Sequence, residues 1–293
     1  MVSRIRALAV LSATLVVSCS APGNLDAIDS RLYANPQRVA ILGYDGDAME
    51  PFLSRDGRFL LFNNLNDPSV NTNLHFAERV DDMTFRYRGE IQGTNTGALE
   101  GVPTMDRRNI LYFVSPRNYE KTLSTIYRGN FNDGAVSGVE LVAGVSRREP
   151  RIVNFDIDVS PDGEKLYFVD GYFGQSGVET ADIVVAERQG AGFVRSLRSA
   201  EFLKNVNTKA LEYAPCISAD GLTLLFTRAR RGLNGSVSIF VSQRMSTTRS
   251  FGPAARLVAL DGFVEGPALS PDERSIYYHK RENDKFVIYR ASK

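Results

Sequence analysis

Asp156-Ile157-Asp158-Val159-Ser160-Pro161-Asp162-Gly163-Glu164-Lys165-Leu166-Tyr167-Phe168 reads as one hairpin. A short apolar strand runs into Ser-x-Asp-Gly, and a strand of large residues leaves it. The Ser and Asp side chains can bond the backbone of the turn, and Gly163 takes a positive φ without steric cost. The pattern recurs. Residues 50–62 contain Ser54-Arg55-Asp56-Gly57, residues 214–226 contain Ser218-Ala219-Asp220-Gly221, and residues 266–278 contain Ser270-Pro271-Asp272-Glu273. A degenerate copy, one residue shorter, occupies 102–113. The closing aromatics stand at 62, 113, 168, 226 and 278, at intervals of 51, 55, 58 and 52. That spacing suits one propeller blade per copy with variable loops between. Glu273 replaces the turn glycine, so it must take a left-handed conformation or force a different turn.

Third strands follow at 74–79, 125–128, 182–188, 237–242 and 286–290, and outer strands at 85–92, 139–143, 193–197 and 256–260. The fifth unit leaves no room for an outer strand before Lys293. Residues 38–42, Arg-Val-Ala-Ile-Leu, have no blade of their own and can supply it. The expected fold is therefore all-β: a five-bladed β-propeller of four-stranded antiparallel blades, closed by an N-terminal strand that completes the last blade. An open solenoid is the structural alternative.

The Ser-Pro-Asp-Gly turn and the aliphatic-aromatic strand after it resemble the WD40-like (PD40) repeat of TolB-type propellers. The resemblance covers most of residues 38–293 and implies the fold, not the function. The chain contains no Trp, so the Trp-Asp ending of eukaryotic WD40 repeats is absent.

The first residues read as targeting. Met1 to Arg6 is a short basic segment, residues 7–17 are apolar, and Val16-Val17-Ser18-Cys19 resembles a bacterial lipobox. The resulting division is a signal peptide at 1–18, a lipidated tether at 19–37 and the propeller at 38–293. Lipidation at Cys19, with Ser20 rather than Asp after it, implies a cell-envelope lipoprotein on the outer membrane facing the periplasm.

Basic and acidic residues number 35 and 34. Without Arg4 and Arg6 the balance is about −1, so no global field favours nucleic acid or anionic lipid. Cys216 lies in an apolar strand and reads as a buried small hydrophobe. Two histidines and no cysteine cluster leave no zinc pattern. No Gly-x-Ser-x-Gly elbow, phosphate loop or His-Glu-x-x-His is present.

An acidic residue stands near the start of every inner strand: Glu50, Glu100, Asp156 with Asp158, Glu212 and Glu265. Connections after the second strands carry Asn64, Asn66, Asp67, Asn118, Tyr119, Tyr172, Phe173, Arg228, Arg230, Arg231 and Asn234. The main functional expectation is a monomeric, non-catalytic scaffold that binds an envelope protein or glycan. Its binding face combines Glu50, Glu100, Asp158, Glu212 and Glu265 with Tyr172, Phe173, Arg228 and Arg230. The alternative is a carbohydrate-active, glycoside hydrolase-like enzyme drawing its carboxylates from Glu50, Asp156, Asp158, Glu212 and Glu265. It resembles the arabinanase and levansucrase propellers in architecture, with carboxylates around the axis. No cofactor is expected beyond a divalent cation such as Ca2+ in the channel or a turn. His75 is read as facing core or solvent, and His279 as the better surface-site residue.

Overall fold

The computed structural model describes residues 32–66, 70–175, 177–230 and 236–293. The leader, Cys19 and most of the tether lie outside the described residues, as do Asp67, Arg231 and Asn234.

Among the described residues, twenty-one strands follow one another in chain order. Two precede the repeats, β1 (Ala34–Arg38) and β2 (Ala40–Leu42). The first unit is β3 (Met49–Leu53), β4 (Phe59–Asn63), β5 (Leu74–Arg79) and β6 (Thr84–Glu90). The second is β7 (Gly101–Met105), β8 (Ile110–Val114), β9 (Ile126–Asn132) and β10 (Ala135–Leu141). The third is β11 (Ile152–Val159), β12 (Lys165–Gly174), β13 (Gly177–Gln189) and β14 (Gly192–Arg195). The fourth is β15 (Leu211–Ile217), β16 (Thr223–Ala229), β17 (Val237–Gln243) and β18 (Ala255–Arg256). The fifth has β19 (Val264–Leu269), β20 (Ser275–Glu282) and β21 (Lys285–Ser292).

The repeated turn works as its residue types require. Ser54, Ser160, Ser218 and Ser270 each donate to the Asp two positions on, at 2.5–2.6 Å. Each Ser Oγ also accepts the N–H of the residue five positions on, at 2.8–3.0 Å. The degenerate copy uses Asp106 in place of Ser, accepting from Arg108 and Ile110 N–H, with Asn109 left-handed at φ 61°. Glu273 is left-handed too, at φ 57°. A non-glycine there costs about 1–2 kcal/mol.

The closing aromatics Phe62, Phe113, Phe168, Phe226 and Tyr278 are all fully buried. Each contributes roughly 1.5–3 kcal/mol of burial, and they sit in cores shared between neighbouring units. Arginines stitch the units: Arg188 reaches Gly163 O and Tyr112 Oη, and Arg244 reaches Gly221 O and Tyr167 Oη in the same way.

The expected closed propeller of five separate four-stranded antiparallel blades does not hold. Hydrogen bonding makes four open sheets, of four, four, eight and five strands. A parallel bridge between Ala181 and Leu211 fuses the third and fourth units into the eight-stranded sheet. In the first unit β2 adds a fifth strand, parallel to β6. The N-terminal strand that completes the last unit is β1, antiparallel to β21; of the expected 38–42, Arg38 and Val39 bond β21, while 40–42 join the first unit. Residues 34–38 reach β21 because Tyr33 and Leu32 anchor that end in its core. The fold is propeller-like nonetheless: β3, β7, β11, β15 and β19 stand side by side in cyclic order, β19 against β3. These inner strands meet through side chains, and among the described residues none pairs with another. No helix of the described residues is long and apolar enough to cross a membrane.

Candidate active site

Each inner strand begins with a kink. Glu50, Val102, Asp156, Ala214 and Gly266 occupy the same position in the five units, and all are left-handed, with φ between 47° and 61°. The pairing register slips at each of them, so every inner strand enters through a bulge. A bulge re-aims side chains beside it. The sequence-derived carboxylates therefore fall into different registers. Glu50 and Asp156 sit at the kink, Glu265 one residue before it, Glu100 and Glu212 two before, and Asp158 two after.

The register sorts them. Glu100 accepts from Thr96 N–H and Oγ1 at 2.7 and 2.8 Å and from Ser115 Oγ at 2.7 Å, with Arg117 at 3.2 Å. Glu212 repeats this with Thr208 N–H at 2.9 Å, Thr208 Oγ1 at 2.6 Å and Arg228 Nε at 2.6 Å. Both are buried braces of a loop, fully bonded where they stand. Asp158 is also buried. It accepts from Thr104 Oγ1 at 2.7 Å and Ile217 N–H at 2.8 Å, and burial, opposed first by Arg55, raises its carboxyl. Arg55 spans the axis, donating to Met105 O at 2.8 Å and Val159 O at 2.9 Å.

Glu50, Asp156 and Glu265 come together at the entry end of the inner strands, with His279 of β20. Ligand atoms of Glu50, Glu265 and His279 all lie within 4.8 Å of one another. Every one of these residues is buried, at 9% exposure or less. Tyr213 Oη donates to Glu265 Oε1 at 2.8 Å, and His279 Nε2 is 3.1 Å from Glu265 Oε2. Asn66 Nδ2 donates to Glu50 Oε1 at 3.2 Å, and Ala214 N–H donates to Asp156 Oδ2 at 3.1 Å. Beneath them lies a cavity of about 30 Å³ lined by Glu50, Asp158, Arg55 and the prolines of four kinks, room for one or two waters.

Crowded carboxylates without water hold protons. Burial pushes Glu50 well above the ordinary carboxylate range, and the charges of Asp156 and Glu265 push it further. Burial, then Glu265, lifts Asp156 to about 7, against the N–H of Ala214. Tyr213 is raised by burial and then by Glu265, so its phenol stays a donor. A cation would fit the Glu50, Glu265 and His279 donors by type, but both imidazole nitrogens already have protein partners, so the set does not make a ready cation site.

This corrects the expectation of a non-catalytic scaffold. Three carboxylates buried beside an imidazole offer a partner no surface, and raised carboxyls of this kind cluster where protons are transferred. Three sequence-derived binding residues are also absorbed by the fold: Glu100 and Glu212 entirely, and Arg228 by Glu212, Val206 O and the face of Phe240. Tyr172 lies under the guanidinium of Arg151, and Phe173 packs edge-on against Phe155, both half-buried at the end of β12. Arg230 is exposed. His75 faces the core, where burial lowers its pKa and Tyr87 Oη meets Nδ1 at 2.9 Å. His279, expected at the surface, is wholly enclosed. Tyr213 and Gly266 were the site residues missed, while His279 was named but placed at the surface. Aligning the five kinks exposes one of them, since Gly266 alone lacks a β-carbon there.

No protein-family model matches the chain, and no curated protein matches it. Among solved structures, an endo-arabinase of Bacteroides thetaiotaomicron is similar at 11% identity and TM-score 0.55, over 88% of this chain and 97% of that one. The catalytic domain of a GH62 alpha-L-arabinofuranosidase of Coprinopsis cinerea is similar at 11% identity and TM-score 0.54, over 90% and 97%. TolB of Acinetobacter baumannii is similar at 15% identity and TM-score 0.48, over 84% of this chain and 55% of that one. This chain thus spans about half the length of that TolB. At these identities the likeness is one of fold, a distant propeller-like arrangement of β-sheets.

Proposed function

We propose that this chain is a carbohydrate-active enzyme that hydrolyses a glycosidic bond with the carboxylates of Glu50, Asp156 and Glu265. The observation that carries the reading is their convergence, from three separate units, into one buried group whose environments differ. Glu50, with its proton held by burial and two neighbouring charges, suits the general acid that protonates a leaving oxygen. Glu265, oriented by Tyr213 Oη and the imidazole, suits the nucleophile. Asp156, held near 7, orients the sugar and restrains Glu50 from losing its proton. Glu50 and Glu265 oxygens within 4.8 Å stand on the short side of the two glycosidase geometries, which goes with retention of anomeric configuration. The likeness in fold to an endo-arabinase and an arabinofuranosidase supports this class.

The same proposal includes the address. With the 1–18 leader removed, lipidated Cys19 would anchor the enzyme in the cell envelope, facing the periplasm, and the partner would be a glycan reaching that space.

The test is turnover of the purified protein on arabino-, xylo- and manno-oligosaccharides and their aryl glycosides. Glu50→Gln, Asp156→Asn and Glu265→Gln should each lower turnover at least about 100-fold, with the product anomer read by proton NMR. Turnover unchanged in all three variants, or absent on every glycan, would overturn the reading.

A further inference from the structure

Of the five residues that carry the left-handed kink, four have a β-carbon and the fifth is Gly266. A β-carbon at 266 would stand 2.5 Å from Glu50 Oε2 and 2.9 Å from His279 Nδ1. The backbone is bare here, and a carboxylate and an imidazole fill the space. The imidazole is committed on both sides. Glu50 N–H donates to Nδ1 at 3.2 Å, so Nδ1 carries no hydrogen. The hydrogen is then on Nε2, which meets Glu265 Oε2 at 3.1 Å. Phe286 packs edge-on against the ring at 5.5 Å. The two bonds tie together β3, β19 and β20, the two ends of the cycle of units. A doubly protonated ring would turn Nδ1–H against Glu50 N–H, so the neutral Nε2–H form alone satisfies both neighbours.

We propose that His279 is a positioning residue: a neutral imidazole that fixes the kinked backbone of Glu50 and the carboxylate of Glu265 at one separation, with Gly266 as the clearance it requires. Its effect on turnover rests on the hydrolytic reading above, while the clamp is defined by bonds that exist without it. Such a residue touches no substrate. It sets the distance between two groups that do, and a shift of about 1 Å between them is enough to cost turnover.

The first test is nitrogen NMR of the imidazoles in the whole protein. The chain has two histidines, so His75→Asn assigns the remaining signal. At about pH 8, where an ordinary imidazole is neutral, His279 should show a single tautomer with hydrogen on Nε2. Hydrogen on Nδ1, or a mixture of the two, overturns the clamp. The second test uses variants that each keep one bond. His279→Asn places an acceptor near Nδ1, His279→Gln places a donor near Nε2, and Gly266→Ala fills the clearance. On a glycan that the wild type turns over, each should lower kcat about 10- to 100-fold, the usual loss when an orienting partner is removed, with KM changed less than about threefold. Wild-type kcat in folded His279→Gln and Gly266→Ala overturns the proposal. If the wild type turns over no glycan, the hydrolytic reading fails separately and the tautomer decides the clamp.

Discussion

Arg55 Nη2 stands 3.7 Å from Asp158 Oδ1, and these two side chains, from the first and third units, line the same small central cavity as Glu50. Arg55 also donates to carbonyls of the second and third units. Removing Arg55 leaves a buried carboxyl whose charge has lost its compensation. Arg55→Met should therefore lower unfolding stability by about 3 kcal/mol, read from a denaturant melt. Adding Asp158→Asn should recover part of that loss. A wild-type melt for Arg55→Met alone would show that the pair contributes nothing net.

The cluster gives stability an unusual pH dependence. Asp156 is held at about 7, above its ordinary value of 3.8, and Glu50 is raised in the same direction. The folded state therefore keeps protons that the unfolded chain gives up between about pH 4 and 7. By linkage, the stability from this group is full below pH 4 and is lost as pH rises through about 7. For Asp156 the change is on the order of 4 kcal/mol at most. The measurement is the melting temperature of wild type against Asp156→Asn across that interval. The variant should gain on the wild type as pH rises, and parallel curves would contradict the raised carboxyl. Turnover should fall once pH rises far enough for Glu50, raised well above the ordinary carboxylate range, to lose the proton it donates.

The hairpin repeat was legible because its turn chemistry is local: Ser, Asp and Gly at fixed offsets satisfy their own backbone, whatever lies around them. The sheet count was not. Fusion of the third and fourth units depends on one parallel bridge at Ala181 and Leu211, a non-local contact with no composition cue. The acidic residues near every inner strand were legible as a set, but their partition was not. A one-residue difference in register about the kink sends Glu265 and Asp156 into the cluster and Glu212 into a loop brace. His279 looked superficial because Lys280 and Arg281 follow it, but Glu50, Glu265, Gly266 and Phe286 enclose it.

That partition predicts opposite effects for like substitutions. Glu212→Gln and Glu100→Gln take the charge partner from half-buried Arg228 and Arg117, so each should cost about 2 kcal/mol of stability with kcat per folded molecule unchanged. Glu50→Gln and Glu265→Gln relieve repulsion among buried carboxylates. They should melt at or above the wild-type temperature while losing turnover, the trade expected of a site held against its own electrostatics. Stability falling equally in all four variants would mean that the register does not separate bracing from chemistry.

Cys216 lines the same central cavity. Its thiol is buried and accepts Leu269 N–H at 3.3 Å, and burial, then the charge of Asp158, raises its pKa well above the ordinary range. A thiol kept protonated and enclosed is a poor nucleophile. In protein carrying Cys19→Ser, where Cys216 is the sole thiol, an aromatic disulfide reagent should label nothing in the native state and one equivalent after unfolding. Because Cys216 shares the cavity wall with Arg55 and Asp158, Arg55→Met should open a path to it and speed native labelling at least tenfold or so, in step with the lost stability. Rapid labelling of the wild type would mean that Cys216 is reached by solvent in the native fold, contrary to its burial.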